Sequence, residues 1–262
     1  MNQPFDPRRT EPARAAEPAL QGELAALRAQ QERLFAEMLA GQRHFRSLAR
    51  SVWRVQEQER RRLARDLHDG IGQNLTALKQ TLSDALRDPA LARDGRERVE
   101  RALEVCGATL EEVRALARAL RPQILDDLGL AAALGWLGRT AGEAGRFSVS
   151  VECAEGFPDA QGDLATLVFR IVQESLANAA RHARCSHVMV RVAARGDELS
   201  VLVADDGVGC DVEAASAQSS SGGSTGLGSM RERVGLFGGR LALSSTPGGG
   251  MQVRAMLPLA PV

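Results

Sequence analysis

The chain has 262 residues, 44% hydrophobic and 25% charged, and its 33 basic side chains balance 33 acidic ones. That is the composition of an ordinary soluble globular protein of one large domain or two smaller ones. A formal net charge of zero removes any global pull towards nucleic acid or anionic membrane. Cys106, Cys153, Cys185 and Cys210 lie far apart, with neither metal-ligand spacing nor a disulfide-dense pattern. Reduced thiols in a cytoplasmic protein are the expectation. No apolar run is long enough to span a bilayer, and the N-terminus lacks a signal-peptide core.

Residues 1–19, rich in Pro, Ala and charge without periodicity, read as a disordered tail. From Leu20 a helix begins. Positions 20, 24, 27, 31, 34, 38, 41, 45, 48, 52 and 55 alternate steps of four and three, and only Gln31 and Gly41 among them are not apolar. This heptad seam calls for a partner helix. After Val55 the steps become fours (Glu59, Leu63, Leu67, Ile71, Leu75), a stutter that locally unwinds a supercoil. The run Arg60-Arg61-Arg62 with Arg65 reads as a solvated face. Asp88-Pro89 and Asp94-Gly95 mark a connection between helices. A second helix then carries Val99, Leu103, Cys106, Leu110, Val113, Ala117 and Leu120 at heptad slots until Arg121-Pro122 ends it. Two adjoining helices with such wide apolar seams predict a hairpin completed by a second copy, a dimeric four-helix bundle.

Residues 125–145 read as a short apolar helix bounded by glycine. Beyond it, Phe147, Val149 and Val151 alternate with polar residues as in a strand. Residues 163–183 are helical. Strands are expected over 187–192, 199–203, 240–244 and 251–257, the last two joined by the turn Thr246-Pro-Gly-Gly-Gly250. A Ser/Gly-rich loop, 214–224, reads as mobile. This half is a mixed α/β layer structure.

The chemistry-bearing residues fall in four segments. His68 follows Leu67 on the helix, roughly 100° round towards solvent. Small residues, Ala64 and Gly72, flank it one turn away and leave room for a bulky approaching domain. Asp69 sets a carboxylate beside the imidazole, able to orient it and accept its proton. Gln73, four residues beyond Asp69, is placed to position a water. Glu174 and Asn178 share a helix face and offer oxygen ligands to a hard cation such as Mg²⁺. Asp205-Asp206-Gly207-Val208-Gly209 follows a strand, so that a carboxylate emerges where an adenine amine is readable and glycines admit a base. Gly226-Leu227-Gly228 precedes a helix and offers free amides to phosphate. Neither a GxxxxGK[ST] loop nor a Rossmann GxGxxG unit is present. Arg181 and His182 close the Asn178 helix, with phosphate approach, capping and solvent exposure as alternatives. His44, His187 and both tryptophans read as packing or surface.

In order and spacing these segments resemble the GHKL ATPases, whose nucleotide pocket is a Bergerat fold. Residues 59–73, 120–130, 173–183 and 226–234 together resemble sensor histidine kinases of two-component systems, of the subclass paired with NarL/LuxR-type regulators. The resemblance covers about residues 55–260. It implies a helical-hairpin bundle followed by a two-layer α/β sandwich. The expected divisions are a tail (1–19), a coiled-coil signalling helix (20–54), a dimerisation and phosphotransfer domain (55–122), a linker helix (123–145) and an ATP-binding domain (146–262). By the same resemblance His68 is the phosphoacceptor, Asp69 its helper base, and Gln73 the residue positioning water for dephosphorylation of the partner. Asn178 and Glu174 hold Mg²⁺, Asp205 reads adenine, and Gly207, Gly209, Gly226, Leu227 and Gly228 line the ATP site, with 211–224 as its lid. The implied partners are a second copy, a response regulator and, for input, a separate sensor protein, with no direct nucleic-acid binding. Met251 stands where such proteins often carry a threonine that assists the adenine-reading aspartate, a loss of about 1 kcal/mol if one hydrogen bond goes. Two other readings compete: a degenerate GHKL adaptor or pure phosphatase, and a GHKL serine kinase or anti-sigma-like binder.

Overall fold

The computed structural model describes residues 11–120, 124–154, 162–212 and 226–259. The chain divides into two compact units, residues 1–51 and 52–262. The first is helical throughout its described part. Helix α1, Glu11–Asp66, begins inside the stretch expected to be disordered. Pro12 sits in its first turn, where a missing N–H costs nothing, and Ala13, Ala15 and Ala16 favour helix. The heptad seam of α1 is uncovered in the single chain: Leu27, Leu34, Met38, Phe45, Leu48, Val52 and Val55 are all exposed.

In the second unit α1 continues without a break through a π-helical turn, Leu67–Gly72, into α2, Gln73–Ala85. The Asp88-Pro89 turn leads to α3, Arg93–Leu120, which folds back on α2 as a hairpin. Cys106, Leu110 and Ala117 of the expected seam are buried in it. A second apolar stripe, Leu63, Ile71 and Leu78 on one arm with Val105 and Leu116 on the other, stays 41–66% exposed. One chain therefore covers only one side of its own hairpin.

Helices α4, Ile124–Asp127, and α5, Gly129–Gly145, follow. Leu130, Ala133, Leu134 and Leu137 of α5 enter the same core as the sheet, and α5 packs on β1 and α6. The segment expected as a linker helix is thus part of the α/β layer. The sheet has five strands in the order β1-β2-β3-β5-β4. They are β1 (Ser148–Cys153), β2 (His187–Arg195), β3 (Glu198–Asp205), β4 (Arg240–Ser245) and β5 (Met251–Pro258). β1 and β2 pair in parallel and the rest antiparallel. Alternation drives one face inward: Val188, Val190 and Val192 of β2, Leu199, Val201 and Val203 of β3, and Val253, Ala255 and Leu257 of β5 are buried. Against that face lie α5, α6 (Gly162–Asn178) and α7 (Gly226–Leu236), with Phe169, Leu176 and Met230 fully enclosed. The result is the two-layer α/β sandwich expected from the pattern. The lid expected over 211–224 lies outside the described residues except for Asp211 and Val212, as do Arg121 and Pro122.

Candidate active site

His68 sits in the π-helical turn rather than in regular α-helix, which changes its neighbours. Hydrogen bonds of the i→i+5 kind widen the turn, and Gln73 as well as Gly72 lines the groove with His68. The expected flanks, Ala64 and Gly72, are buried, whereas His68, Asp69 and Gln73 are exposed. His68 and Gln73 line one groove along the hairpin, of about 460 Å³, with Thr76, Val113, Arg114 and Ala117. Asp69 is not among its walls.

The second site is a cleft of about 610 Å³ at the end of the sheet. Asn178, Asp205, Gly209, Gly226 and Leu227 line it, together with Arg181, His182, Cys210 and Met251. A second π-helical turn, Ala179–Ala183, continues α6 and carries Arg181 and His182 round to the cleft. The turn is pinned at its end, where the Ala183 carbonyl accepts the Val208 N–H at 2.8 Å. A side chain at 207 would overlap that carbonyl, so Gly207 is needed for contact rather than for lining.

Asp205 ends β3 opposite Met251 of β5. Its Oδ1 accepts from the Gly207 N–H at 2.9 Å and the Met251 N–H at 3.3 Å. Its Oδ2 accepts no hydrogen bond among the described residues. One oxygen is thus tied down, and the carboxylate retains a free acceptor in the cleft wall. The β4–β5 turn clamps this loop: Gly250 N–H donates to the Gly207 carbonyl at 2.9 Å, and Gly248 N–H to that of Val208 at 2.6 Å. Gly250, at φ 71°, lies so close that any Cβ would overlap the Asp205 carbonyl. Cys210 Sγ lies 4.0 Å from Met251 Sδ, making a soft, polarizable patch of cleft wall.

Neighbouring Asp206 has a different task. It accepts from the Ser186 hydroxyl, the His187 N–H at 2.9 Å and the Ser186 N–H at 2.8 Å, tying the end of β3 to the start of β2. The Ser186 hydroxyl first, and then the main-chain donors, hold its carboxyl down at about 2. The exposed His187 ring is held on both sides, Nδ1 to Ser148 and Nε2 to Ser150, which matches its reading as packing or surface.

Glu174 lies one turn before Asn178 but is not among the cleft walls. Its carboxylate lies directly under Gly226, where a Cβ would overlap Oε1. Gly228 also falls outside the walls. Glu174 and Asn178 are half-buried, and neither side chain is hydrogen-bonded among the described residues. No cluster of three His, Cys, Asp or Glu side chains occurs among those residues. Missed from the sequence were Cys210 and the main-chain role of Met251. Only the fold brings Cys210 to the wall, and a backbone N–H carries no residue signature.

The family described as histidine kinase-, DNA gyrase B- and HSP90-like ATPases matches residues 163–261, and the histidine kinase family HisKA_3 matches residues 59–125. The chain belongs to the sensor histidine kinases, with a GHKL ATP-binding domain behind a histidine-bearing helical hairpin. It is similar to the sensor histidine kinase MctS of Rhizobium johnstonii, at 33% identity over 86% of this chain and 48% of that one. It is also similar to a sensor-like histidine kinase of Chloroflexus aurantiacus, at 34% over 78% and 35%. The histidine-protein kinase/phosphatase DegS of Brevibacillus brevis matches at 29% over 87% and 58%. This chain spans 35–58% of the length of these relatives. No described helix is long and apolar enough to cross a membrane.

Proposed function

We propose that the chain autophosphorylates on His68 with ATP and passes the phosphoryl group to an aspartate of a NarL/LuxR-type response regulator. The neutral imidazole nitrogen of His68 attacks the γ-phosphorus. A nitrogen–phosphorus bond forms, the bond to the β,γ-bridging oxygen breaks, ADP leaves, and the imidazole proton passes to Asp69 or water. Asp69 is the adjacent exposed base. Transfer to the aspartate carboxylate regenerates the free histidine. Catalysis rests on positioning and charge neutralisation rather than on covalent chemistry by the ATP-binding domain.

The observation that carries this reading is the Asp205 carboxylate, with Oδ1 tethered by two main-chain donors and Oδ2 left in the cleft for an adenine amine. Mg²⁺ suits the unpartnered oxygens of Asn178 and Glu174, since this hard cation takes few protein ligands and completes its shell with phosphate and water. Bound there, it would neutralise charge on the transferring phosphoryl group. Arg181 supplies positive charge and His182 a ring nitrogen at the same wall, and the Gly226-Leu227-Gly228 segment opens α7 beside it. Gln73, which lines one groove with His68, positions the water that dephosphorylates the regulator. The uncovered stripes on α1 and on the α2–α3 hairpin support a homodimer, the heptad seam of α1 supports input from a separate sensor, and four free cysteines fit the cytoplasm. The degenerate-adaptor reading loses its main support, because Met251 still supplies Asp205 with a donor.

Titration with a fluorescent ATP analogue, with and without Mg²⁺, tests the site. Asn178→Ala should remove the Mg²⁺-dependent part of the affinity. Equal Mg²⁺ dependence in wild type and variant would move the metal elsewhere.

A further inference from the structure

The groove that holds His68 runs between the two arms of the hairpin, and one contact marks their register: the Cys106 thiol donates to the Leu75 carbonyl at 3.4 Å. The arms are antiparallel. Seven residues back from Leu75 and seven on from Cys106 therefore bring His68 level with Val113, with Arg114 next along α3. Leu63, Ile71, Leu78, Val105 and Leu116, the uncovered stripe, are not among the walls, so a second copy seated on that stripe leaves the groove open.

The groove is poor in free polar groups. Gly72, Ala77, Val113 and Ala117 are small or apolar, the Thr76 hydroxyl donates to the Gly72 carbonyl at 2.8 Å, and the Gln80 amide to Asp84 at 3.0 Å. The His68 ring and the Gln73 amide have no hydrogen-bond partner among the described residues. Arg114 is the one wall residue with a permanent charge. One terminal nitrogen donates to Glu111 Oε1 at 2.8 Å, and the two side chains are 44% and 64% exposed. Such an exposed pair contributes little and is readily exchanged. The remaining N–H donors of Arg114 meet no acceptor among the described residues.

We propose that Arg114 binds the phosphoryl group carried by His68 and steadies phosphohistidine between its formation and its transfer. The proposal rests on the reading of His68 as phosphoacceptor. Phosphorylation brings up to two negative charges to a groove whose walls hold no acid and one cation. The planar guanidinium fork matches phosphate oxygens two at a time, which a lysine ammonium does not. Ala77, Val113 and Ala117 keep part of the water from this pair, so it is stronger than the pair with Glu111 at the solvent edge. Asp69 lies outside the walls and does not compete for Arg114.

The test phosphorylates the full chain with phosphoramidate, a chemical donor that needs no ATP site. The phosphohistidine resonance that His68→Gln removes is then followed through pH by phosphorus NMR. A neighbouring cation favours the doubly charged phosphoryl group, so its loss makes the second ionisation harder. In Arg114→Gln the titration midpoint should move up by about half a pH unit, the size of an exposed ion pair. Arg114→Lys should recover part of the shift. Arg118→Gln, one turn on and outside the walls, should give none. Arg65 and Asp69 beside His68, and Glu111 beside Arg114, are the same in every protein compared. With ATP as donor, at a fixed ratio of ATP to ADP, the ratio of labelled to unlabelled His68 should fall about threefold in Arg114→Gln, the same shift expressed as an equilibrium. ATP affinity should not change. An arginine with a structural role alone lowers Tm and leaves the titration in place. An unmoved midpoint in Arg114→Gln, or an equal shift in Arg118→Gln, overturns the proposal. A shift specific to Arg114, with no label from bound ATP in any protein, overturns the reading of His68 and not the contact.

Discussion

Met251 holds Asp205 by its main chain: its N–H reaches Oδ1 at 3.3 Å across the β3–β5 pair. Replacing a threonine hydroxyl at this position therefore leaves the aspartate oriented. Met251→Thr should change nucleotide affinity by less than about tenfold, one ordinary hydrogen bond. Asp205→Ala should weaken it by about ten- to a hundredfold, as expected for a bond to a charged acceptor. Calorimetric titration with ATP separates the two, and a large effect of Met251→Thr would show that the hydroxyl matters.

The β4–β5 turn supplies an internal comparison. Gly248 and Gly250 both have positive φ, 79° and 71°, but only Gly250 abuts the Asp205 carbonyl. Gly248→Ala should cost about 1–2 kcal/mol, the left-handed penalty alone. Gly250→Ala adds a backbone overlap, so it should lower Tm several times further and abolish nucleotide binding. Thermal melts with and without ATP check both.

Asp206 makes stability pH-dependent. Its folded carboxyl, near 2, lies below the ordinary value of 3.8, so its contribution is fully present above about pH 4 and is lost as pH falls towards 2. Asp206→Asn should lower Tm at neutral pH, and the difference from wild type should shrink steadily through that acid window. A difference that stays constant down to pH 2 would contradict the staple.

Gln73 predicts a separable effect. It lines one groove with His68, so Gln73→Ala removes a side chain beside the phosphoacceptor and leaves the main chain intact. Helix content by circular dichroism should hold while dephosphorylation of a phosphorylated regulator is lost. Autophosphorylation should be retained in the same variant, and loss of both activities would contradict the role of Gln73.

Much of this was legible in the sequence, for physical reasons. The strands announce themselves because Val188, Val190 and Val192 must alternate, and α3 because Cys106, Leu110 and Ala117 recur at helical spacing. The cleft residues Asn178, Asp205, Gly209, Gly226 and Leu227 are legible from their order. Other features leave no local pattern. A π-turn shifts main-chain partners without changing residue types, so His68 was expected in regular α-helix. Helix α5 carries apolar residues next to glycines, and only its packing against β1 shows that it belongs to the core. The buried Glu57–Arg170 ion pair joins residues 113 apart in a chain where arginine is abundant.

The most direct test of the central claim is incubation of purified chain with γ-labelled ATP and Mg²⁺, wild type beside His68→Gln. The account predicts acid-labile, alkali-stable label on wild type and none on the variant. Label of the same chemistry persisting on His68→Gln, or none on a wild type that binds ATP, would contradict it.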